Sequence, residues 1–199
     1  AYAEHHGDDV ALLGNNLQLC PDDRTCVLLS PRPQVVERRG LKVGLFAVVD
    51  PAVFRLVPPQ LASRVKVSDP QAAAEVSVRA LREAGAKIVV GLYHGPYENA
   101  LALTRRVKGV DVLLVGHEQR LIEARRSGQT IVASPGEEGN RVGILQLAID
   151  RQGRITFQNR FRLLEYENDP DDPAVRERIF AYKVEMRRRL YNATVPAAP

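Results

Sequence analysis

Two histidines stand beside glycines at the ends of apolar runs: Ile88-Val-Val-Gly-Leu-Tyr-His94-Gly95 and Val110-Asp-Val-Leu-Leu-Val-Gly116-His117. A single histidine in a loop after a strand is most often a satisfied polar residue. Two at matched positions of consecutive units, each next to a glycine that lets backbone approach a ligand, point to a shared metal or phosphate site. Both runs read as buried parallel strands, β-branched and nearly continuous in apolar residues. Between them, Ala100, Leu101, Leu103 and Val107 recur at helical spacing. The order strand, His-Gly loop, helix, strand, Gly-His loop places both imidazoles at the carboxyl edge of a sheet, where open α/β folds bind ligands.

The elements that must position this edge follow from local signals. Residues 10–13 read as a short strand before the turn at Gly14-Asn15-Asn16. Residues 34–37 and 41–49 read as a hairpin around Arg39-Gly40, with Asp50-Pro51 ending the second strand and an irregular stretch over 53–61. Asp69-Pro70 is an N-cap followed by proline at the first helical position, and the helix runs to about residue 84 with Gly85 closing it. Its spacing puts Ala73, Val76, Ala80 and Ala84 on one face. Past Gln119 the pattern becomes strand-like over 121–124, 130–133, 142–149 and 155–164, without helices between, which predicts antiparallel pairing. The expected class is α/β, a mixed-sheet sandwich flanked by helices. An acidic, proline-containing stretch from Asn168 leads into a helix from Asp172-Pro173. Its Val175, Ile179, Tyr182, Met186 and Leu190 form an apolar stripe that must cover another surface. The expected division is 1–166 for the main domain and 167–199 for a linker and amphipathic helix.

Composition narrows the function. With 199 residues, 45% of them hydrophobic, the chain can bury one good-sized core. The net charge of +4 is mild and dispersed, and tryptophan is absent, so a nucleic-acid polymer is not the expected partner. No run reaches the length of a membrane span. The opening Ala1-Tyr2-Ala3 carries no initiator methionine and no signal peptide, residues 1–6 read as a helix closed by Gly7, and the end at Val195-Pro-Ala-Ala-Pro199 is linker-like; both ends read as cuts in a longer protein. Cys20 and Cys26 are spaced for a small surface disulfide, which implies an oxidising compartment, or stand as two free thiols. No Cys-x-x-Cys-His motif is present for covalent haem.

The order of these residues resembles the calcineurin-like metallophosphoesterases, in particular their 5′-nucleotidase branch. The likeness rests on Tyr93-His94-Gly95 and on Gly116-His117-Glu118-Gln119. It extends to Gly40-Leu-Lys-Val-Gly-Leu45 as a central strand, to the approach from Lys108 to His117, and to Ser134-Pro-Gly136 through Arg141-Val-Gly143, covering roughly residues 8–165. It implies the C-terminal half of a phosphoesterase domain with two divalent ions, Mn, Zn or Fe, bridged by water. By that resemblance His94 and His117 bind one ion and Gln119 the other. Gln119 takes the place of the last histidine of a Gly-His-x-His motif, and a neutral amide oxygen is the weaker donor. The family's Asp-x-His, Gly-Asp and Gly-Asn-His segments have no counterpart; Gly14-Asn15-Asn16 matches a later strand, and His5 and His6 match nothing. The expectation is therefore a degenerate, pseudoenzyme-like portion of a hydrolase domain, periplasmic or extracellular and inactive by itself. Two alternatives stay open. One is an active phosphomonoester or nucleotide hydrolase completed by an upstream part of the domain or another chain. The other is a non-catalytic structural domain in a larger secreted assembly such as a multihaem cytochrome.

Overall fold

The computed structural model describes residues 11–21, 25–30, 32–165 and 168–194. The helix expected over residues 1–6 and the start of the strand expected at Val10 lie outside them. The chain runs β1 (Leu17–Leu19), β2 (Val27–Leu28), β3 (Gln34–Arg38), β4 (Leu41–Val49), a 3-10 helix (Pro51–Leu56), a helical turn (Pro59–Ala62), β5 (Val65–Val67), α1 (Pro70–Glu83), β6 (Ile88–His94), α2 (Tyr97–Arg106), β7 (Val112–Gly116), β8 (Leu121–Ser127), β9 (Thr130–Pro135), β10 (Arg141–Ile149), β11 (Ile155–Leu163) and α3 (Pro173–Thr194). Two compact units divide it, Ala1–Arg162 and Leu163–Pro199.

The first unit is built on a six-stranded mixed sheet in the order β3-β4-β6-β7-β9-β8. The strands β4, β6, β7 and β9 are parallel, and β3 and β8 run antiparallel at the two edges. The β3–β4 hairpin closes through Arg39 and Gly40 at φ 51° and 75°, the paired left-handed residues whose twist matches two flanking strands. Beside this sheet lie a small sheet β2-β1-β5 and the pair β10-β11. The mixed sheet with flanking helices is the architecture that the alternation of strands and helices predicts.

Helices α1 and α2 cover one face of the sheet. Phe46, Val48, Val89, Tyr93, Leu113 and Val115 meet Ala74, Val78 and Leu81 of α1 and Tyr97, Ala100 and Leu103 of α2 in one buried cluster. The buried side of α1 is thus Ala74, Ser77, Val78 and Leu81; of the expected Ala73, Val76, Ala80 and Ala84, Ala73 packs at the margin of the core and the other three are exposed. The reason is shape. Leu81 seats against Gly44, where an added Cβ would approach its side chain to 2.9 Å, and a small serine completes the stripe where periodicity looks for an apolar residue. On the opposite face, Leu92 and Leu114 remain 41% and 36% exposed. A parallel sheet normally buries both faces, so this one is half-covered within the described residues.

Three further expectations need correction. Residues 11–13 form no strand; β1 begins at Leu17 instead. Asn15 and Asn16 explain the shift. Asn15 N–H donates to Ala47 O at 2.8 Å and its Oδ1 accepts from Ala47 N–H at 2.9 Å. Asn16 Oδ1 accepts from Val49 N–H at 2.9 Å, and its Nδ2 donates to Val49 O at 2.8 Å and Ser68 O at 3.0 Å. The two residues thus take up ladder groups of β4 beyond Leu45, where its pairing with β3 stops. The stretch after Asp50 is helical rather than irregular, with the Asp50 carboxylate accepting from Ala52 N–H at 2.8 Å as its N-cap. The strands after Gln119 are not all antiparallel: β9 pairs with β8 as expected but inserts between β8 and β7, parallel to the latter. Cys20 and Cys26 are joined in a disulfide.

In the second unit, α3 starts where the sequence places it. Asp172 Oδ1 accepts from Ala174 and Val175 N–H at 2.9 and 3.0 Å, and Val175, Ile179 and Tyr182 of the apolar stripe are exposed. No helix among the described residues is long and apolar enough to cross a membrane.

Because Asn16 is fully buried and serves three backbone groups, Asn16→Ala is expected to cost about 1–3 kcal/mol for each group left unpaired. Urea denaturation at pH 7 measures it; a loss below 0.5 kcal/mol, roughly the noise of a surface substitution, contradicts this account.

Candidate functional site

The site is made by strands that end level. Val49 of β4 stands opposite His94 of β6, and His94 stands opposite Gly116 of β7. The next residues, Asp50, Gly95 and His117, therefore emerge at one edge. Alternation sends Tyr93 toward the helices and His94 to the other face, the half-covered one. There the imidazoles of His94 and His117 meet edge to face, their ring centroids 5.1 Å apart with 68° between planes. The two histidines singled out by the sequence are thus brought together. Gln119, the third residue, lies exposed two positions on. The loop that carries it is tightly wound, with His117 at φ 103° and Gln119 at φ 56°. Non-glycine residues seldom adopt positive φ, and such backbone concentrates at functional loops.

The ring of His94 is tuned for ligation. Although the side chain is exposed at the sheet edge, partial desolvation of the ring, and secondarily the charge of His117, set its pKa below the ordinary 6.5. At neutral pH the ring is uncharged, with a lone pair free to bind a cation. Its Nδ1 lies over Gly116, where an added Cβ would approach it to 3.5 Å.

Asp50, read from the sequence only as a strand terminator, proves to be the hub behind the histidines. It is 7% exposed. Tyr93 Oη donates to Asp50 Oδ2 at 2.6 Å and Asn99 Nδ2 donates to the same oxygen at 3.0 Å. Its backbone N–H donates to His94 O at 2.9 Å, and Gly95 N–H donates to Gly116 O at 3.3 Å, so the three strand ends are tied together. Burial pushes the carboxyl pKa up, but the hydrogen bonds from Tyr93, Ala52 and Asn99 and the charge of His117 outweigh it and leave it below the ordinary value. Burial and the same carboxylate push the Tyr93 phenol far up, so it stays a proton donor. Gly95 is required by space, since a Cβ there would lie 2.3 Å from Asp50 Cβ. The available signal was a carboxylate at the end of β4, far along the chain from Tyr93 of β6 and Asn99 of α2, which becomes legible only once the strand order is known.

The donor set fits one ion partly and two ions poorly. Two imidazoles supply two nitrogens, leaving the remaining positions of a tetrahedral or octahedral ion to other groups. Among the described residues no group of three His, Cys, Asp or Glu side chains is placed to hold a metal. A two-metal centre also needs a bridging ligand, which the described residues do not supply beside this pair.

No protein-family model matches the chain. The trifunctional nucleotide phosphoesterase protein YfkN of Bacillus subtilis (strain 168) is 24% identical over 154 residues, or 74% of this chain and 10% of that protein. The solved structure of YfkN, a calcineurin-like phosphoesterase, superposes with a TM-score of 0.58 at 18% identity, covering 79% of this chain and 57% of that one. The 5′-nucleotidase precursor from Thermus thermophilus gives a TM-score of 0.74 at 24% identity, covering 92% of this chain and 39% of that one. The sulfate thiohydrolase SoxB of Thermus thermophilus gives 0.75 at 22% identity, covering 88% and 32%. The chain therefore has the fold of part of a 5′-nucleotidase or calcineurin-like phosphoesterase, as the resemblance implied. It spans about two fifths of the length of the Thermus nucleotidase.

The Asp50 network gives a pH prediction. A carboxyl whose folded pKa lies below 3.8 adds stability that is complete above that value and is lost as pH falls through the folded value. Asp50→Asn is expected to cost about 1.5–3 kcal/mol at pH 7, the worth of hydrogen bonds to a charged group, and the gap to the unsubstituted protein should close as pH falls below 3.8. Chemical denaturation across pH 2.5–7 (roughly the span over which carboxylates titrate) checks it; a pH-independent gap would mean the charge plays no part.

Proposed function

We propose that this chain is the histidine-bearing portion of a metallophosphoesterase-like, 5′-nucleotidase-like domain, and that His94 and His117 are ligands to one divalent ion, Mn, Zn or Fe. Gln119 is assigned to the adjoining position. The observation that carries this reading is the meeting of two imidazoles, 5.1 Å apart, at level strand ends of a phosphoesterase fold. The lowered pKa of His94 favours the neutral imidazole that a metal takes. The bound ion would act as a Lewis acid toward a phosphoryl oxygen. Asp50 and Tyr93 do not bind it in this reading; their hydrogen bonds fix the backbone from which both histidines project.

These 199 residues by themselves are inactive in this reading, because two imidazoles and an amide provide no bridging carboxylate. The half-covered sheet face favours a second reading of the same site, in which polypeptide outside these residues covers Leu92 and Leu114 and brings the missing carboxylates next to His94. The whole would then hydrolyse phosphomonoesters such as nucleotides. The Cys20–Cys26 bond supports a periplasmic or extracellular setting, since disulfides persist in oxidising compartments. A larger secreted assembly, a multihaem cytochrome included, is compatible with that setting, although this sequence carries no haem-attachment motif of its own.

Zinc titration by calorimetry, paired with a phosphomonoester assay in Mn or Zn, tests the proposal. The expected result is one weakly bound ion, weakened at least about tenfold by His94→Ala or His117→Ala, with no turnover. Metal binding untouched by both substitutions would overturn the ligand assignment. Turnover by these residues alone, abolished in His117→Ala, would overturn the claim of inactivity. Activity gained on joining the chain to a longer portion of its own protein would decide for the completed hydrolase.

A further inference from the structure

The two loops that deliver the histidines each deliver, three residues later, a second chemically distinctive group. His94 is followed by Tyr97 at the start of α2, and His117 by Arg120 just before β8. These meet: Arg120 Cζ lies 4.9 Å from the centre of the Tyr97 ring. A second guanidinium, Arg125, stands 5.4 Å from the same ring centre. Arg125 Nε donates to Tyr97 Oη at 2.9 Å, and its Nη2 donates to the same oxygen. Tyr97 is 2% exposed, so the ring is a fixed platform rather than a mobile surface group.

We propose that Arg120 and Arg125 form a binding site for a phosphoryl oxyanion, seated on Tyr97 next to the histidine loops. Two guanidinium groups share one ring and concentrate positive charge beside it. Among the described residues no carboxylate forms an ion pair with either one; the pairs present are Arg82–Asp111, Arg154–Asp150 and Arg189–Glu185. Residues Arg120 and Arg125 both line an open surface groove of about 260 Å³ that runs along Arg120 to Arg125. Glu123 lines the same groove without pairing with either arginine, so the site carries a net single positive charge before the anion enters. The platform holds the arginines in place, and the spare N–H donors of Arg120, which makes no hydrogen bond within the described residues, match the paired oxygens of a phosphate. The register of β8 shifts between Ile122 and Arg125, and such an irregularity re-aims the side chains that follow it. This recognition needs no metal, so it stands independently of the ion assigned to His94 and His117.

The experiment is a titration of the metal-free protein, in EDTA, with inorganic phosphate and separately with glycerol phosphate, followed by the arginine Nε–H signals in NMR. Saturable shifts of Arg120 and Arg125 are expected. Arg120→Ala should weaken binding at least about tenfold, as expected for lost hydrogen bonds to a charged group; Arg120→Lys should restore part of it, and Arg105→Ala on exposed α2 surface should change nothing. Glu123→Gln should tighten binding by removing the opposing charge. Tighter binding of the ester identifies an organic phosphate as the ligand, and equal binding identifies free phosphate. No saturable shift, or an Arg120→Ala protein that binds as the unsubstituted one does, would overturn the inference while leaving the histidine assignment standing. Loss of phosphate binding in His117→Ala, with Arg120→Ala unaffected, would place the anion on the histidines instead and overturn it equally.

Discussion

Level termination of three parallel strands is the constraint on which the site rests. His94 meets His117 because Val49, His94 and Gly116 are in register. Side chains alternate along a strand, so a slip of one residue in β6 would turn His94 toward the helices and Tyr93 toward the open face. That slip is opposed from the covered side. Tyr93 is buried against the helices and donates to Asp50, and Gly91 sits where any larger residue would strike Phe46 and Leu113. The packing of one face therefore sets the chemistry of the other.

Polar side chains complete what the sheet leaves open. The edge of β4 beyond Leu45 has no strand partner, and Asn15 and Asn16 stand in for one. Asp50 then takes over at the end of the strand, capping the following helix and holding Tyr93 and Asn99. Among the described residues no buried side-chain nitrogen or oxygen lacks a partner. Such satisfied networks rigidify a site, since each member left unpaired in a low-dielectric interior would carry the full cost of its lost hydration. The histidine side chains project from a backbone that this network fixes, the His94 carbonyl being one of its acceptors.

The two faces of the sheet divide the labour. One, covered by α1 and α2, supplies the apolar burial that holds the unit together. The other carries His94 among partly exposed Leu92 and Leu114. Two imidazoles and two guanidinium groups stand toward one end of the sheet, the end at which open α/β folds bind ligands.

What the sequence determined by itself is what depends on neighbours along the chain. Apolar runs marked β6 and β7, Asp69-Pro70 and Asp172-Pro173 marked helix starts, Arg39-Gly40 marked a hairpin, and matched His-Gly and Gly-His loops marked the candidate ligands. Tertiary structure alone decided the rest. Periodicity could not choose the buried side of α1, because the choice turned on how Leu81 fits the hollow above Gly44 and on a serine small enough to be buried. Nor could it place β9 beside β7, since strand order is fixed by long-range burial rather than by the turn between β8 and β9. Asp50 looked like punctuation because its partners Tyr93 and Asn99 are more than forty residues away. A motif in sequence records which residues are near one another in the chain; the hydrogen bonds that orient a site depend on which are near in space.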